Sequence, residues 1–235
     1  MLPVLQTTML FSLVLLLTLA TIVYAAGIVY YRMAWLSIPD IKTNTENFIP
    51  ATPVTVIVPA RNEAANIEAC LLALAKQLYP KQLFEVLVIN DHSTDETATI
   101  VKQYENQHIR LVNLSDYIGD IKLNAYKKKA IETGIQLSKG KLIVTTDADC
   151  TMGELWLQTI VQHFEKSNAV LIAAPVAIKY RLTFLQIFQA LDFLSLQGIT
   201  GASVHRKIHN MCNGANLAFE KTAYNSVSKQ ALRHD

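Results

Sequence analysis

Val54-Thr55-Val56-Ile57-Val58, followed by Pro59-Ala60-Arg61-Asn62-Glu63, decides the fold. Every residue of VTVIV is β-branched, and the run has no polar alternation, which marks a strand buried on both faces. Pro59 is expected to end it. Next, Ile67, Cys70, Leu71, Leu74 and Leu78 recur at helical spacing, so Asn66–Leu78 reads as a helix closed by Pro80.

Working outward, the same alternation continues. Val86–Ile89 is a second buried strand, and Ser93 with Glu96 has capping-box spacing for a helix from about Thr94 to about Glu105. Ile109–Leu114 is a weaker strand, Lys127–Leu137 a helix, and Leu142–Thr146 a strand. A helix carries Leu155, Leu157, Ile160, Val161 and Phe164, and Ala169–Ala174 is one more strand. Alternation of this kind makes an α/β domain with a mostly parallel sheet and helices on both faces. Ligands of such sheets bind beyond the carboxyl ends of the strands.

Toward the amino terminus the composition changes. Residues 1–31 contain no Asp, Glu, Lys, Arg or His, which explains why only 17% of the 235 residues are charged against a usual ~25%. Met9–Tyr31 is mostly apolar and as a helix would measure about 34 Å, enough for a bilayer core. It lacks the basic start and short apolar core of a signal peptide, so it reads as a membrane anchor within residues 1–36. Arg32 and Lys42 follow the span and no Lys or Arg precedes it, which favours a cytoplasmic domain at the cell (inner) membrane. Residues 37–53 are polar with three prolines and read as a linker, leaving 54–235 as the folded domain. Phe184–Leu196 is apolar but interrupted by Gln186, Gln189 and Asp192. It suits a core or interfacial helix, with core packing the default.

Lys+Arg of 21 against Asp+Glu of 19 gives a net charge of +2, without the basic excess of a nucleic-acid protein. Cys70, Cys150 and Cys212 lie too far apart in sequence for metal-ligand spacing. The chemistry therefore concentrates at the strand ends: Pro59–Glu63, Asn90–Asp95, Tyr126–Lys129 and Asp147-Ala148-Asp149. Asp147 and Asp149 are two apart on extended chain and project to one side. Their repulsion is relieved by a hard divalent cation, Mg²⁺ or Mn²⁺, with phosphate oxygens; the plain alternative is a solvated acidic loop. Asp91 either caps the following helix or is left for a ligand, and the three lysines 127–129 form either a solvated face or a diphosphate contact.

Together, VTVIVPARNEAANI, EVLVINDHSTDET, KKKAIETGI and LIVTTDADC resemble family 2 glycosyltransferases with a GT-A fold, over about Val54 to Phe219. The resemblance implies transfer of a sugar from a nucleotide-sugar donor, a UDP-sugar, with inversion at the anomeric carbon and a divalent metal on the diphosphate. It places Pro59, Ala60, Arg61 and Glu63 at the nucleoside and Asp91 on the base. Lys127 falls beside base and diphosphate, Asp147 near the ribose or one step behind the metal, and Asp149 on the metal. MCNGANLAF, residues 211–219, resembles the acceptor-side loop, with Asn213 and Gly214 near the reaction centre. Tyr126 stands where the family often has glycine, and the QxxRW motif of polymer synthases is missing. The general base is normally a carboxylate downstream of the NGANLAF-like segment and is expected beyond Asp235, so the domain reads as incomplete at its carboxyl end. The acceptor would be a lipid-linked or saccharide molecule at the membrane. The competing reading is a membrane-tethered nucleotide-sugar-binding module without a base.

Overall fold

The computed structural model describes residues 2–40, 48–106, 108–118, 126–208 and 212–231. Lys42 and Asp235 lie outside these. In chain order the helices and strands are α1 (Leu2–Leu36), β1 (Val54–Ala60), α2 (Ile67–Ala75), β2 (Phe84–Asn90), α3 (Thr97–Gln103), β3 (Ile109–Asn113), α4 (Ser115–Ile118), α5 (Tyr126–Leu137), β4 (Leu142–Thr145), α6 (Trp156–Ser167), β5 (Leu171–Ala173), α7 (Phe184–Arg206), β6 (Leu217–Glu220) and α8 (Lys221–Ala231).

Two compact units result. One holds residues 41–176 and 212–235, and the other holds 1–40 and 177–211. The larger unit is built on a six-stranded sheet of order β3-β2-β1-β4-β6-β5. β1 pairs in parallel with β2 and β4, and β2 with β3, whereas β6 runs antiparallel to both β4 and β5. The sequence predicts a strand over Ala169–Ala174. The strand formed is Leu171–Ala173, and it lies at the edge of the sheet, where the short LAFE strand β6 stands between it and β4.

Alternation along the central strands divides the core. Val54, Val56, Val58, Val86, Val88, Leu142 and Val144 face one side, where Ile67, Leu71, Leu74, Leu157 and Val161 of α2 and α6 cover them. Ile57, Leu87, Ile89 and Ile143 face the other, under Ala130 and Ile135 of α5. Each fully buried Leu, Ile or Val contributes roughly 1.5–3 kcal/mol of hydrophobic free energy. Close approach is needed at Gly140, where a Cβ would lie 2.4 Å from the backbone nitrogen of Thr55.

Three boundaries differ from the sequence expectation, each for a local reason. Pro59 does not end β1, which continues to Ala60 in register with Asn90. Ile57 is the last β1 residue paired with β4, so the nitrogen that proline cannot use as a donor lies past that ladder. α2 stops at Ala75 because Gln77 and Leu78 turn away: Gln77 Nε2 donates to the Gly153 carbonyl at 2.8 Å, and Leu78 N to the Glu154 carbonyl at 2.8 Å. α3 begins at Thr97 and the Ser93–Glu96 capping box is not made. Ser93 Oγ instead accepts from Asn62 N at 3.1 Å, and Asp95 Oδ1 accepts from Thr97 N at 3.0 Å.

The end of the proline-containing stretch is fastened to the larger unit. Glu165 accepts hydrogen bonds from Ala51 N, Thr52 N and Thr52 Oγ1, and Tyr79 Oη donates to the Thr52 carbonyl.

In the smaller unit, α1 supplies the described helix that is long and apolar enough to cross a membrane, over residues 6–36. α7 lies in the same unit, with Gly201 facing the Trp35 ring so closely that a Cβ would come within 2.8 Å of it. Core packing does not absorb the apolar residues of α7: Phe184, Leu185, Phe188, Leu191 and Leu194 are all more than half exposed.

Candidate functional site

The carboxyl ends of β1, β2 and β4, with the start of α5, surround a cavity of about 440 Å³. Pro59, Ala60, Arg61, Glu63, Asp91, Tyr126, Lys127, Asp147, Ala148 and Asp149 line it. Every donor-side and metal-side residue expected from the sequence therefore meets in one place. Asn213 and Gly214 are not among the lining residues. They form the turn into β6, where the Gly214 carbonyl accepts from Thr145 Oγ1 at 2.6 Å and Asn213 Oδ1 accepts from Ala215 N at 3.0 Å.

Two loops are stitched together to shape one wall. Asn62 adopts a left-handed backbone with φ of 55°, a conformation asparagine tolerates better than most residues. Its side-chain oxygen accepts from Thr94 N at 2.8 Å while its own N–H donates to Ser93 Oγ. Glu63 N donates to Thr97 Oγ1 at 2.8 Å, and Ala64 N donates to Asp95 Oδ2 at 3.0 Å. The Glu63 carboxylate accepts from Asn66 Nδ2 at 3.0 Å, so it also steadies the entry to α2. These bonds satisfy loop backbone groups that would otherwise need water.

Asp91 sits at the floor of that wall. Its side chain is 7% exposed, its N–H donates to the Ala60 carbonyl at 2.8 Å, and His92 Nδ1 lies 2.9 Å from Oδ1. The Arg61 guanidinium lies 3.8 Å from Oδ2. Tyr126 closes the cluster, with the Arg61 guanidinium 5.5 Å over its ring and the His92 ring edge-on at 5.5 Å. His92, like Asn62, has a positive φ, of 54°. The roles of Tyr126 and His92 escaped the sequence reading. The available signal was an aromatic residue opening a lysine-rich helix, and a histidine directly after the strand-end aspartate.

The opposite wall is acidic. Lys127 Nζ donates to Asp147 Oδ1 at 2.7 Å, and both side chains touch solvent. Cys150 N donates to the Asp147 carbonyl at 3.1 Å, and the Cys150 thiol lies 3.6 Å from Asp149 Oδ1. Beneath them the Cys70 sulfur sits 3.8 Å from the Asp147 carbonyl. Burial pushes the Cys70 thiol up to about 12, with Cys150, Asp149 and Asp147 adding repulsion in the same direction. Burial, then the charges of Asp149 and Asp147, raises Cys150 as well.

Asp147 and Asp149 offer carboxylate oxygens to the cavity, the donor type that Mg²⁺ and Mn²⁺ favour. Among the described residues, no group of three His, Cys, Asp or Glu side chains is arranged to hold a metal ion. The pair fits a cation whose remaining ligands come from a bound phosphate and water. It does not fit an all-protein metal site.

The sequence and the fold have known counterparts. The profile of Glycosyl transferase family 2 matches residues 55–227, and the chain belongs to that family. It is 35% identical over 127 residues to the glycosyltransferase AglE of Haloferax volcanii, covering 54% of this chain and 40% of that one. It is 33% identical over 132 residues to the probable glycosyltransferase YdaM of Bacillus subtilis, covering 53% and 30%. The matched stretch thus spans less than half the length of either relative. In three dimensions it is similar to the mannosyltransferase PcManGT from Pyrobaculum calidifontis, solved with GDP-Man and Mn2+. The TM-score is 0.65 with 24% identity, over 90% of this chain and 56% of that one, which establishes a GT-A fold.

Proposed function

We propose that the protein transfers a sugar from a UDP-sugar to an acceptor at the cytoplasmic face of a membrane, inverting the anomeric centre. The observation that carries this is the convergence of Asp91, Lys127, Asp147 and Asp149 on one cavity at the carboxyl ends of parallel strands. In this reading Pro59, Ala60, Arg61 and Glu63 line the nucleoside end and Asp91 binds the base.

The Asp91 surroundings support uracil. Oδ1 is engaged by His92, and the Arg61 guanidinium stands near Oδ2. The cluster therefore sets carboxylate acceptors beside the His92 ring and the Arg61 guanidinium. Uracil presents a complement to such a mixed set, an N–H flanked by two carbonyls.

Lys127 balances diphosphate charge, Asp147 orients the ribose or the metal environment, and Asp149 ligates Mg²⁺ or Mn²⁺. When bound, the cation neutralises charge on the leaving diphosphate. The acceptor hydroxyl attacks the anomeric carbon as the bond to UDP breaks. Its proton goes to a general base. Asn213 and Gly214 lie on the acceptor side in this reading, and the acceptor is a lipid-linked or saccharide molecule. Residues 1–36 anchor the protein, residues 37–53 link, and residues from 54 onward carry the chemistry. Arg32 and Lys42 set the cytoplasmic orientation.

The purified full chain, titrated with UDP, UDP-sugars and GDP-mannose in Mn²⁺, tests the reading. Uridine nucleotides are expected to bind at least tenfold more tightly than GDP-mannose, about 1.4 kcal/mol. Preference for GDP-mannose would overturn the base assignment.

A further inference from the structure

Helix α7 lacks the features of a buried helix. Phe184 is 88% exposed, Leu182 just before it 89%, and Leu185, Phe188, Leu191 and Leu194, all more than half exposed, lie with Phe184 on about half of the helix circumference. Scattered surface leucines need no explanation, but five large apolar side chains on one side of a 23-residue helix do. A water-facing surface would leave these apolar groups solvated, which is unfavourable for each of them.

Charge placement indicates what covers it. Lys179 and Arg181 precede the helix, and Arg206 and Lys207 close it, while Asp192 is the one charged residue between Phe184 and Val204. A basic group at both ends of an apolar helix matches a negatively charged lipid surface. Asp192, Gln186, Gln189 and Gln197 oppose a crossing: aspartate is among the costliest residues to place near a bilayer centre. A second copy of the chain would offer the basic ends only more basic groups from its own α7.

The position of α7 fits the same occupant. It shares a compact unit with α1, and Gly201 abuts Trp35 near the carboxyl end of that helix. Where α1 leaves a bilayer, the carboxyl end of α7 is therefore held beside it.

We infer that α7 is a second membrane contact, lying along an anionic leaflet with its apolar residues in the acyl boundary and its basic ends on lipid phosphates. The inference rests on α1 as an anchor, and alkaline carbonate extraction scores that anchor separately. For α7, Phe188→Trp and, independently, Leu191→Trp are made in the full chain and reconstituted in phosphatidylcholine–phosphatidylglycerol liposomes. The emission added over the parent, which has Trp35 and Trp156, is measured against lipids brominated near the headgroup or near the acyl terminus.

Stronger quenching by the shallow bromines is expected for both variants. Replacing Lys179, Arg181, Arg206 and Lys207 by Gln should shift the surface-bound ratio by about fivefold per charge. Added emission untouched by either lipid, or quenched most by the deep bromines, would overturn the inference. So would a cross-linked α7–α7 dimer that excludes the quencher.

Discussion

Lys127 Nζ holds Asp147 Oδ1 at 2.7 Å across the mouth of the cavity, so the cation expected to meet a diphosphate already rests on one of the two acidic residues. Asp149, two residues on, has no such basic partner among the ion pairs formed by the described residues. The acidic wall is therefore asymmetric, with Asp147 paired to a lysine and Asp149 outside these ion pairs.

Lys127→Gln should weaken UDP binding by about 10- to 100-fold, the usual value of a charged hydrogen bond of ~1.5–3 kcal/mol. It should leave uridine, which has no phosphate, nearly unchanged. Parallel calorimetric titrations with both ligands check this. Equal losses for the two would place Lys127 at the base instead.

Asp91→Ala removes the acceptor at the base end and leaves Arg61 and His92 without their shared partner. UDP affinity should fall several-fold or more, from a loss of ~1–3 kcal/mol. A folded variant, judged by circular dichroism, that binds UDP as well as wild type would contradict the assignment.

Gly140→Ala tests the packing of β4 against β1. The new methyl meets the Thr55 nitrogen and the Val54 carbonyl carbon, both backbone, so no side chain can simply swing aside. Urea unfolding of the variant should show a loss of about 1–3 kcal/mol, as for overpacked cores.

Thiol reactivity reports the electrostatics beneath the site. With its thiol raised to about 12, Cys70 is almost wholly protonated at pH 8 and should resist iodoacetamide in the folded protein. Cys150, also raised, should react more slowly than a free thiol and speed up as pH increases. Peptide mass spectrometry after timed labelling separates the two. Rapid labelling of Cys70 at neutral pH would contradict its buried placement.

Much of this was legible in the residues. The β-branched runs at 54–58, 86–89 and 142–146 located the central strands, because a strand buried on two faces must be apolar throughout. The acidic and basic residues just after those runs then fell at the open end of the sheet. Three features were not legible. β6 is only four residues long, and nothing in LAFE says that it enters the sheet between β4 and β5. The capping signal at Ser93 and Glu96 was genuine as a pattern, yet Ser93 bonds across space to Asn62, a contact sequence spacing does not encode. The exposure of α7 was hidden for a different reason: an apolar stripe reads the same whether protein or lipid covers it.

The most direct test of the account is UDP titration of wild type, Asp147→Asn and Asp149→Asn, each with Mn²⁺ and with EDTA. Wild type should bind UDP far more tightly with Mn²⁺. Asp149→Asn should lose that dependence, and Asp147→Asn should keep it with affinity weaker by about 10–100-fold, the usual cost of losing a group that orients a metal site. UDP affinity that is the same in Mn²⁺ and EDTA for wild type would contradict the account and leave Asp147 and Asp149 as an acidic loop.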